Sequence, residues 1–184
     1  MRRATASHVA RSLTMTQLLS PTQLSTQLRN DTSPDMQRRR WTIGLSLVGA
    51  AIGGIVTLYQ TGLTKRLPDI LPGKVFDAEK VDASDYAYAH LQMPDAPQMV
   101  VTYAVTAGLA AAGGADRAEE NPALPLATAG KAVFDLVTCA VLAREEWRTN
   151  KALCSWCQIA TLVSAATVAL TLPEAIRAAR SLAT

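Results

Sequence analysis

Four long apolar runs occupy most of this 184-residue sequence and limit what it can fold into. They are residues 41–64, 96–115, 122–143 and 152–173, and three of them contain no charged side chain. An α-helix of roughly 20 apolar residues crosses the ~30 Å hydrocarbon core of a membrane. Four such runs are unusual in one small soluble domain. The sequence therefore predicts an all-α protein, an integral membrane four-helix bundle in contact with lipid.

Small residues mark one face of the first run. Gly49 and Gly53 are four positions apart, and Gly54 follows them. This spacing lets the backbones of two membrane helices approach closely. We expect the first helix to make a close contact there.

Arginines are concentrated before the first run. Residues 1–40 hold seven arginines and two aspartates, whereas the rest of the chain has eleven basic and thirteen acidic residues. Basic residues spread over a folded surface would indicate nucleic-acid binding, and this distribution argues against it. We predict that residues 1–37 form a disordered cytoplasmic tail and that residues 38–184 form the membrane domain. The alternatives for the tail are a transit peptide or an over-extended start, with Met15 or Met36 as the true initiator.

The charges also predict an orientation. Arg38, Arg39 and Arg40 directly precede the first run, so the positive-inside rule places the N-terminus in the cytoplasm. Residues 65–95 and 144–151 then lie outside. The expected location is the inner membrane of a bacterium, with the start of the fourth run at its oxidising outer face.

Cys154-x-x-Cys157 lies at the start of the fourth run. Two cysteines three apart in a helix can close a disulfide, and a helix N-terminus stabilises a thiolate. We predict that both are catalytic. Cys154 would lie nearer water and meet a water-side thiol, and Cys157, one turn deeper, would face a lipid-side acceptor such as a quinone. Chance pairing and half of a zinc site are the alternatives; a structural zinc site normally needs four protein ligands, so no metal site is predicted.

Two ionisable residues interrupt the third run. Lys131 and Asp135 are four apart and share a helix face. Because a charge inside a membrane costs about 2.5–3.5 kcal/mol on insertion scales, such residues usually face the bundle interior. The pair is either a partner of the acceptor pocket or a mutually satisfied pair that fixes packing. Cys139, in the same run, is expected to be a small buried hydrophobe.

Residues 76–88 have the pattern of a short amphipathic helix. Tyr86, Tyr88, Leu91 and Met93 are expected to lay it on the membrane surface, as a lid over the dithiol. Its charged positions are expected to be solvated linker.

Taken with the motif Met93-Pro-Asp-Ala96 before the second run, this pattern resembles the bacterial branch of the vitamin K epoxide reductase family over about residues 40–180. The resemblance implies a four-helix bundle around a quinone. It also implies that Cys154 and Cys157 are the active dithiol.

Two features depart from that family. The outer loop of that family usually carries a second cysteine pair, which relays electrons from a thioredoxin-fold partner protein. Residues 60–96 contain no cysteine. Ser84 is similar to the family's loop serine, but a serine cannot relay a disulfide. The tyrosine that the family often places four residues after the second active cysteine is Thr161. A partner thiol therefore reaches Cys154 directly, or another molecule is reduced, or the oxidase activity has been lost.

The expected function is a membrane thiol–disulfide oxidoreductase that passes electrons from a partner dithiol to a quinone. Lys131, Asp135 and Thr161 would line the quinone pocket. The alternatives are a non-enzymatic helical membrane scaffold or assembly protein and a metal-handling membrane protein.

Overall fold

The structure, a computed structural model, describes residues 19–89 and 92–183. These residues form helices and no β-strand, with one isolated bridge between Phe76 and Leu153. The helices are α1 Pro21–Asn30, α2 Pro34–Gln60, α3 Ala78–Asp82, α4 Asp95–Ala111, α5 Arg117–Glu120, α6 Ala123–Asn150 and α7 Ser155–Ser181, with a 3₁₀ turn at Asp85–Tyr88. The all-α prediction is confirmed.

Three helices are long and apolar enough to cross a membrane. They are α2, α6 and α7, with 27, 28 and 27 residues. They support a membrane protein. The fourth predicted span corresponds to α4, which has 17 residues and is therefore about 25 Å long. That it also crosses the membrane stays a prediction.

The four long helices pack in a ring, in which α2 contacts α4 and α7, and α6 contacts the same two helices from the other side. Small residues allow the closest approach. A Cβ atom added at Gly49 would lie 2.5 Å from Cζ of Tyr103 in α4, and one added at Gly53 would lie 3.1 Å from Cε of Met99. Gly54 faces open space. The close contact expected of the first helix is therefore present, and α4 makes it.

Buried cations tie the helices together at one end of the ring. The Arg39 guanidinium donates to carbonyl oxygens at the end of α4, among them Ala110 at 3.0 Å and Gly114 at 2.7 Å. Arg117 and Glu174 form a buried two-bond pair with both distances 2.8 Å. The last carbonyls of a helix have no partner within it, and Arg39 supplies one.

The predicted disordered tail lies partly in helices. Residues 1–18 lie outside the described part of the chain. The Ser20 hydroxyl accepts from the Gln23 backbone N–H while the Gln23 side chain accepts from the Ser20 N–H, which makes a capping box at the start of α1. Ser33 caps α2 in a similar way. The structure thus differs from the expected disorder between residues 21 and 37, because local capping groups satisfy the free N–H groups of both helices.

Two helices extend beyond the apolar runs that predicted them. Helix α6 continues to Asn150 and ends at Lys151, which has the left-handed φ of 52°. Helix α7 continues through Pro173 to Ser181. The short connection between them, residues 151–154, brings the end of α6 beside the cysteine motif.

Candidate active site

The two predicted cysteines lie together at the start of α7. Cys154 is the N-cap residue, and its Sγ accepts from the backbone N–H of Cys157 at 3.3 Å. Both thiols are free. Their Sγ atoms lie within 4.8 Å of each other, and since a disulfide bond is ~2.05 Å long, a small movement of the side chains would close one.

The burial of the two thiols is the reverse of the sequence expectation. Cys154 is 0% exposed, whereas Cys157 is half-buried. Leu67, Ala78 and Val81, which come from the connection between α2 and α4, pack with Cys154 in one apolar cluster. The prediction that Cys154 faces water is therefore wrong in this structure, because that connection folds over it.

Residues 67–82, here called the cover loop, are bonded to the first turn of α7. Asp69 accepts from the backbone N–H of Ser155 at 3.2 Å and from that of Ala78 at 2.9 Å. The Trp156 indole donates to the Pro68 carbonyl at 3.0 Å, and the Ser155 hydroxyl accepts from the Ile70 N–H at 3.1 Å. These bonds hold the cover loop closed over Cys154.

A lid over the dithiol was predicted from residues 76–88, and the cover loop includes residues 76–82 of that segment, with Ala78 and Val81 packed against Cys154. Tyr88 lies in the 3₁₀ turn, is 36% exposed and donates to the Gln60 carbonyl at 2.9 Å. Leu91 lies outside the described residues. The first part of the cover loop, residues 67–75, precedes the predicted segment and is positioned by contacts with α7 that are distant in sequence.

Asp82 is a buried carboxyl group beside both thiols. It is 2% exposed, and its Oδ1 accepts from the Cys157 thiol at 4.0 Å. Burial raises the pKa of Asp82 to about 7; a hydrogen bond with Cys154 opposes this rise, and the charges of Asp95 and Asp69 add to it. The expectation of a solvated linker is thus wrong at Asp82. No local pattern marks this residue, because its burial depends on contacts with α7 that are distant in sequence.

The local charges also affect Cys154, which precedes α7. A hydrogen bond with Cys157 lowers the pKa of the Cys154 thiol, but burial and the nearby charge of Asp82 outweigh it, so this pKa lies above its ordinary value. The thiolate stabilisation expected from the helix N-terminus does not dominate here.

Glu146 is a second buried acid that the sequence did not single out. It is 6% exposed, and its Oε2 accepts from the Cys154 backbone N–H at 3.2 Å and from the Gln158 amide at 3.4 Å. The carboxyl group therefore caps the start of α7. The residue was placed in a solvated connection because the apolar run ends before it, whereas α6 continues past it.

A cavity of about 360 Å³ lies between the long helices and reaches Cys157. This volume falls in the range of small-molecule sites. Its lining is mostly apolar, with a few polar groups and three sulfur-containing side chains. It includes Val56, Asp82, Gln98, Met99, Tyr103, Phe134, Asp135, Cys139, Leu142, Glu146, Cys157, Thr161 and Ser164, whereas Cys154 is not part of it.

The structure brings two of the three predicted pocket residues to this cavity. Asp135 and Thr161 line it. The Lys131 ammonium donates to the Asp135 carboxylate at 2.6 Å and to the Thr102 carbonyl at 3.2 Å. Lys131 itself does not line the cavity, but it fixes the position of the Asp135 carboxylate, which does. The Thr161 hydroxyl donates to the Cys157 carbonyl at 2.9 Å. Cys139 was predicted to be a small buried hydrophobe; in the structure it is half-buried and its side chain lines the cavity.

Two further cavity residues were missed in the sequence. The Tyr103 hydroxyl donates to the Ala160 carbonyl at 2.7 Å and lies 3.0 Å from the Ser164 hydroxyl. The Gln98 Nε2 atom is buried and has no hydrogen-bond partner within the described ranges. A buried donor without a partner costs free energy, so Gln98 is available to a carbonyl oxygen of a ligand.

The donor set at the dithiol suits thiol chemistry better than a structural metal centre. The ligand atoms of Asp82, Cys154 and Cys157 lie within 4.8 Å of one another. Three such atoms are one fewer than a structural zinc site uses. Two thiols beside a proton acceptor suit disulfide formation, which also needs an acceptor for two electrons.

The family model that describes the vitamin K epoxide reductase family matches residues 40–172, a range that contains the cover loop, the cavity and both cysteines. Searches of curated proteins and of solved structures gave no match.

Proposed function

This chain belongs to the vitamin K epoxide reductase family, and we propose on that basis that it is a membrane thiol–disulfide oxidoreductase with a quinone as electron acceptor. Electrons would pass from a partner dithiol through Cys154 and Cys157. The observation that carries the proposal is the position of Cys157, which lines the cavity while Cys154 lies within bonding reach behind it.

The cavity suits a flat, mostly apolar ring with carbonyl oxygens. Met99, Phe134 and Leu142 supply apolar surface, and the free amide of Gln98 supplies a donor. A bound quinone would supply the sink for two electrons and two protons. Asp135 and Thr161 would position it, and Lys131 would hold the Asp135 carboxylate in its orientation.

The cysteine nearer the acceptor is the one that transfers electrons to it. Cys157 contacts the cavity, so its sulfur acts on the acceptor, and Cys154 then attacks Cys157 to form the disulfide. The Cys154 sulfur already lies at the helix start, where it accepts from the Cys157 N–H. Cys154 is the resolving thiol in this assignment.

Reduction of the pair requires a donor thiol. Residues 60–96 carry no relay cysteine, and the cover loop closes the route to Cys154. We propose that a thioredoxin-fold partner displaces the cover loop and attacks the disulfide directly. The proposed setting is the inner membrane of a bacterium, with the cover loop at the outer face.

One observation favours the scaffold alternative. A fully buried Cys154 without relay cysteines fits a pair that is structural and never turns over. Redox cycling separates the two functions, since a scaffold would not exchange electrons with a quinone.

The test uses the full chain in lipid nanodiscs with ubiquinone or menaquinone. The protein is reduced, the reductant is removed, and the thiols that remain free are counted by mass after alkylation. We expect quinone to oxidise the Cys154–Cys157 pair in wild type and in Cys139→Ala, and to leave Cys157→Ala unchanged. Quinone reduction by Cys157→Ala at the wild-type rate would refute the proposal.

A further inference from the structure

We propose that Asp82 is a catalytic residue that accepts the proton of the Cys157 thiol and passes it on toward the cavity. The role rests on the proposed function, because it supplies the proton transfer that disulfide formation needs. The sequence gives no hint of it, since Asp82 is one of six acidic residues in the connection 65–95.

The Asp82 carboxyl is a buried base that lies beside the Cys157 thiol, the acid whose proton it would accept. Oδ1 of Asp82 accepts from the Cys157 thiol, with 4.0 Å between oxygen and sulfur. Oδ2 is buried and has no hydrogen-bond partner in the described part of the chain. Asp82 also lines the cavity, so the same carboxyl group borders both the thiol and the acceptor site.

Among the residues that the structure describes, none supplies a cation to Asp82. The groups near it are Asp69 of the cover loop, Asp95 of α4, Glu146 of α6, and the two thiols of α7. From α2, the neutral Gln60 amide donates to the Asp82 backbone carbonyl at 3.4 Å. On α3 itself, Glu79 bonds to the Leu67 N–H and the Lys80 ammonium to the Asn150 carbonyl. A carboxyl group among acids and thiols gains and loses its proton near neutral pH, as a general base must.

The proton and electron count closes without another reactant. The S–H bond of Cys157 breaks and an O–H bond forms on Asp82, which leaves the sulfur with the electron pair it uses on the acceptor. Asp82 releases this first proton toward the cavity. The Cys154 sulfur then bonds to the Cys157 sulfur, and as its own S–H bond breaks, its proton passes to the Asp82 carboxylate, which lies within 4.8 Å of both sulfur atoms. The pair loses two electrons and two protons, all of which pass to the quinone to give the hydroquinone. Asp82 ends as a carboxylate again once it has released its proton toward the cavity.

The test compares wild type with Asp82→Asn in a Cys139→Ala background, in nanodiscs. The rate of alkylation of Cys157 by a membrane-soluble maleimide is followed by peptide mass from pH 5.5 to 9.5. Asp85→Asn is the matched control, since Asp85 is exposed and three residues away. This readout requires no quinone.

For wild type and Asp85→Asn we expect the rate to rise about tenfold per pH unit below pH 7 and then level off, as the carboxylate form accumulates. In Asp82→Asn we expect no plateau in the alkylation rate above pH 7, and we expect the rate at pH 8 to be at least tenfold lower than in wild type. If the carboxylate acted only as a negative charge, its removal would favour the thiolate and Asp82→Asn would react faster. That result would overturn the proposal.

A second measurement separates this proposal from the proposed function. Single-turnover quinone reduction is recorded for the same variants, with circular dichroism to verify helix content. If wild type does not reduce quinone but keeps the pH profile of alkylation, the acceptor is wrong and the role of Asp82 toward Cys157 stands. If wild type reduces quinone and Asp82→Asn does so at the same rate and with the same pH profile, the role of Asp82 is refuted.

Discussion

The ring of Tyr103 lies directly against the Cα atom of Gly49, so that a methyl group there would lie 2.5 Å from Cζ of the ring. The same tyrosine donates to the Ala160 carbonyl of α7. Tyr103 therefore links α2, α4 and α7 beside the cavity, and the glycine is what lets it lie there.

We expect Gly49→Ala to destabilise the protein by about 1–3 kcal/mol, because the added methyl group pushes Tyr103 out of its place. Gly54→Ala is the matched control: it lies on the same helix, and no atom lies within 4 Å of its added Cβ. Thermal unfolding in detergent measures both variants. If Gly49→Ala and Gly54→Ala lowered the unfolding temperature equally, the close contact between Gly49 and Tyr103 would not be the cause of the destabilisation.

The two active thiols should differ in accessibility. Since Cys154 is buried under the cover loop and Cys157 lines the cavity, we expect a membrane-soluble maleimide to modify Cys157 first. A membrane-impermeant maleimide should modify both slowly. Peptide mass spectrometry of the Cys139→Ala protein identifies the site. Faster modification of Cys154 would contradict the closed cover loop.

Asp69→Ala should open the cover loop. The substitution removes a carboxylate that accepts two hydrogen bonds from the backbone N–H groups of Ala78 and Ser155, each worth about 1.5–3 kcal/mol. We expect labelling of Cys154 by the water-soluble reagent to rise at least about tenfold. Arg66→Ala, at an exposed position just before the cover loop, should leave the labelling rate unchanged.

The stability of the protein should respond to pH through Asp82. The folded-state pKa of about 7 lies above the ordinary 3.8, so the folded state holds the proton more tightly and this residue's ionisation opposes folding. The free energy of unfolding that Asp82 contributes falls as the pH rises from about 4 to about 7, by on the order of 4 kcal/mol in all. We therefore expect Asp82→Asn to unfold at a higher temperature than wild type at pH 8, and by a smaller margin at pH 5. An equal margin at both values would show that the Asp82 carboxyl does not titrate as described.

The Lys131–Asp135 pair permits a test of its two interpretations. Lys131→Met leaves the Asp135 carboxylate without its cation. Breaking a fully buried pair costs about 3–5 kcal/mol, and we expect a smaller loss here because both side chains are half-buried. Lys131→Met combined with Asp135→Leu should restore thermal stability. If the pair serves packing alone, the double variant also keeps quinone reduction; if Asp135 positions the acceptor, stability returns and the activity does not.

The apolar runs located the long helices well, because apolar length is a local property of the sequence. A close helix contact of α2 could also be anticipated from Gly49 and Gly53, although the sequence did not identify α4 as the partner. Helix ends were less predictable. Helix α7 passes Pro173, and Glu174 lies within it as the partner of Arg117, a contact that no local pattern encodes.

The cysteines of the candidate site were evident in the sequence, whereas their surroundings were not. Asp82 and Glu146 look like ordinary solvated acids, because their burial depends on how the cover loop and the end of α6 fold onto α7. The same long-range contacts reversed the expected exposure of Cys154. Spacing can identify a reactive pair, but access to it is decided by elements far away in the chain.

The closed cover loop has a consequence for the cell as well as for the protein. A disulfide that small soluble thiols cannot touch does not equilibrate with them, since exchange requires direct attack on a sulfur atom. The ratio of disulfide to dithiol in the Cys154–Cys157 pair can therefore differ from the ratio in the soluble thiols around the protein. In effect, the Pro68–Trp156 and Asp69–Ser155 bonds close one side of the dithiol and leave the cavity as the route to Cys157.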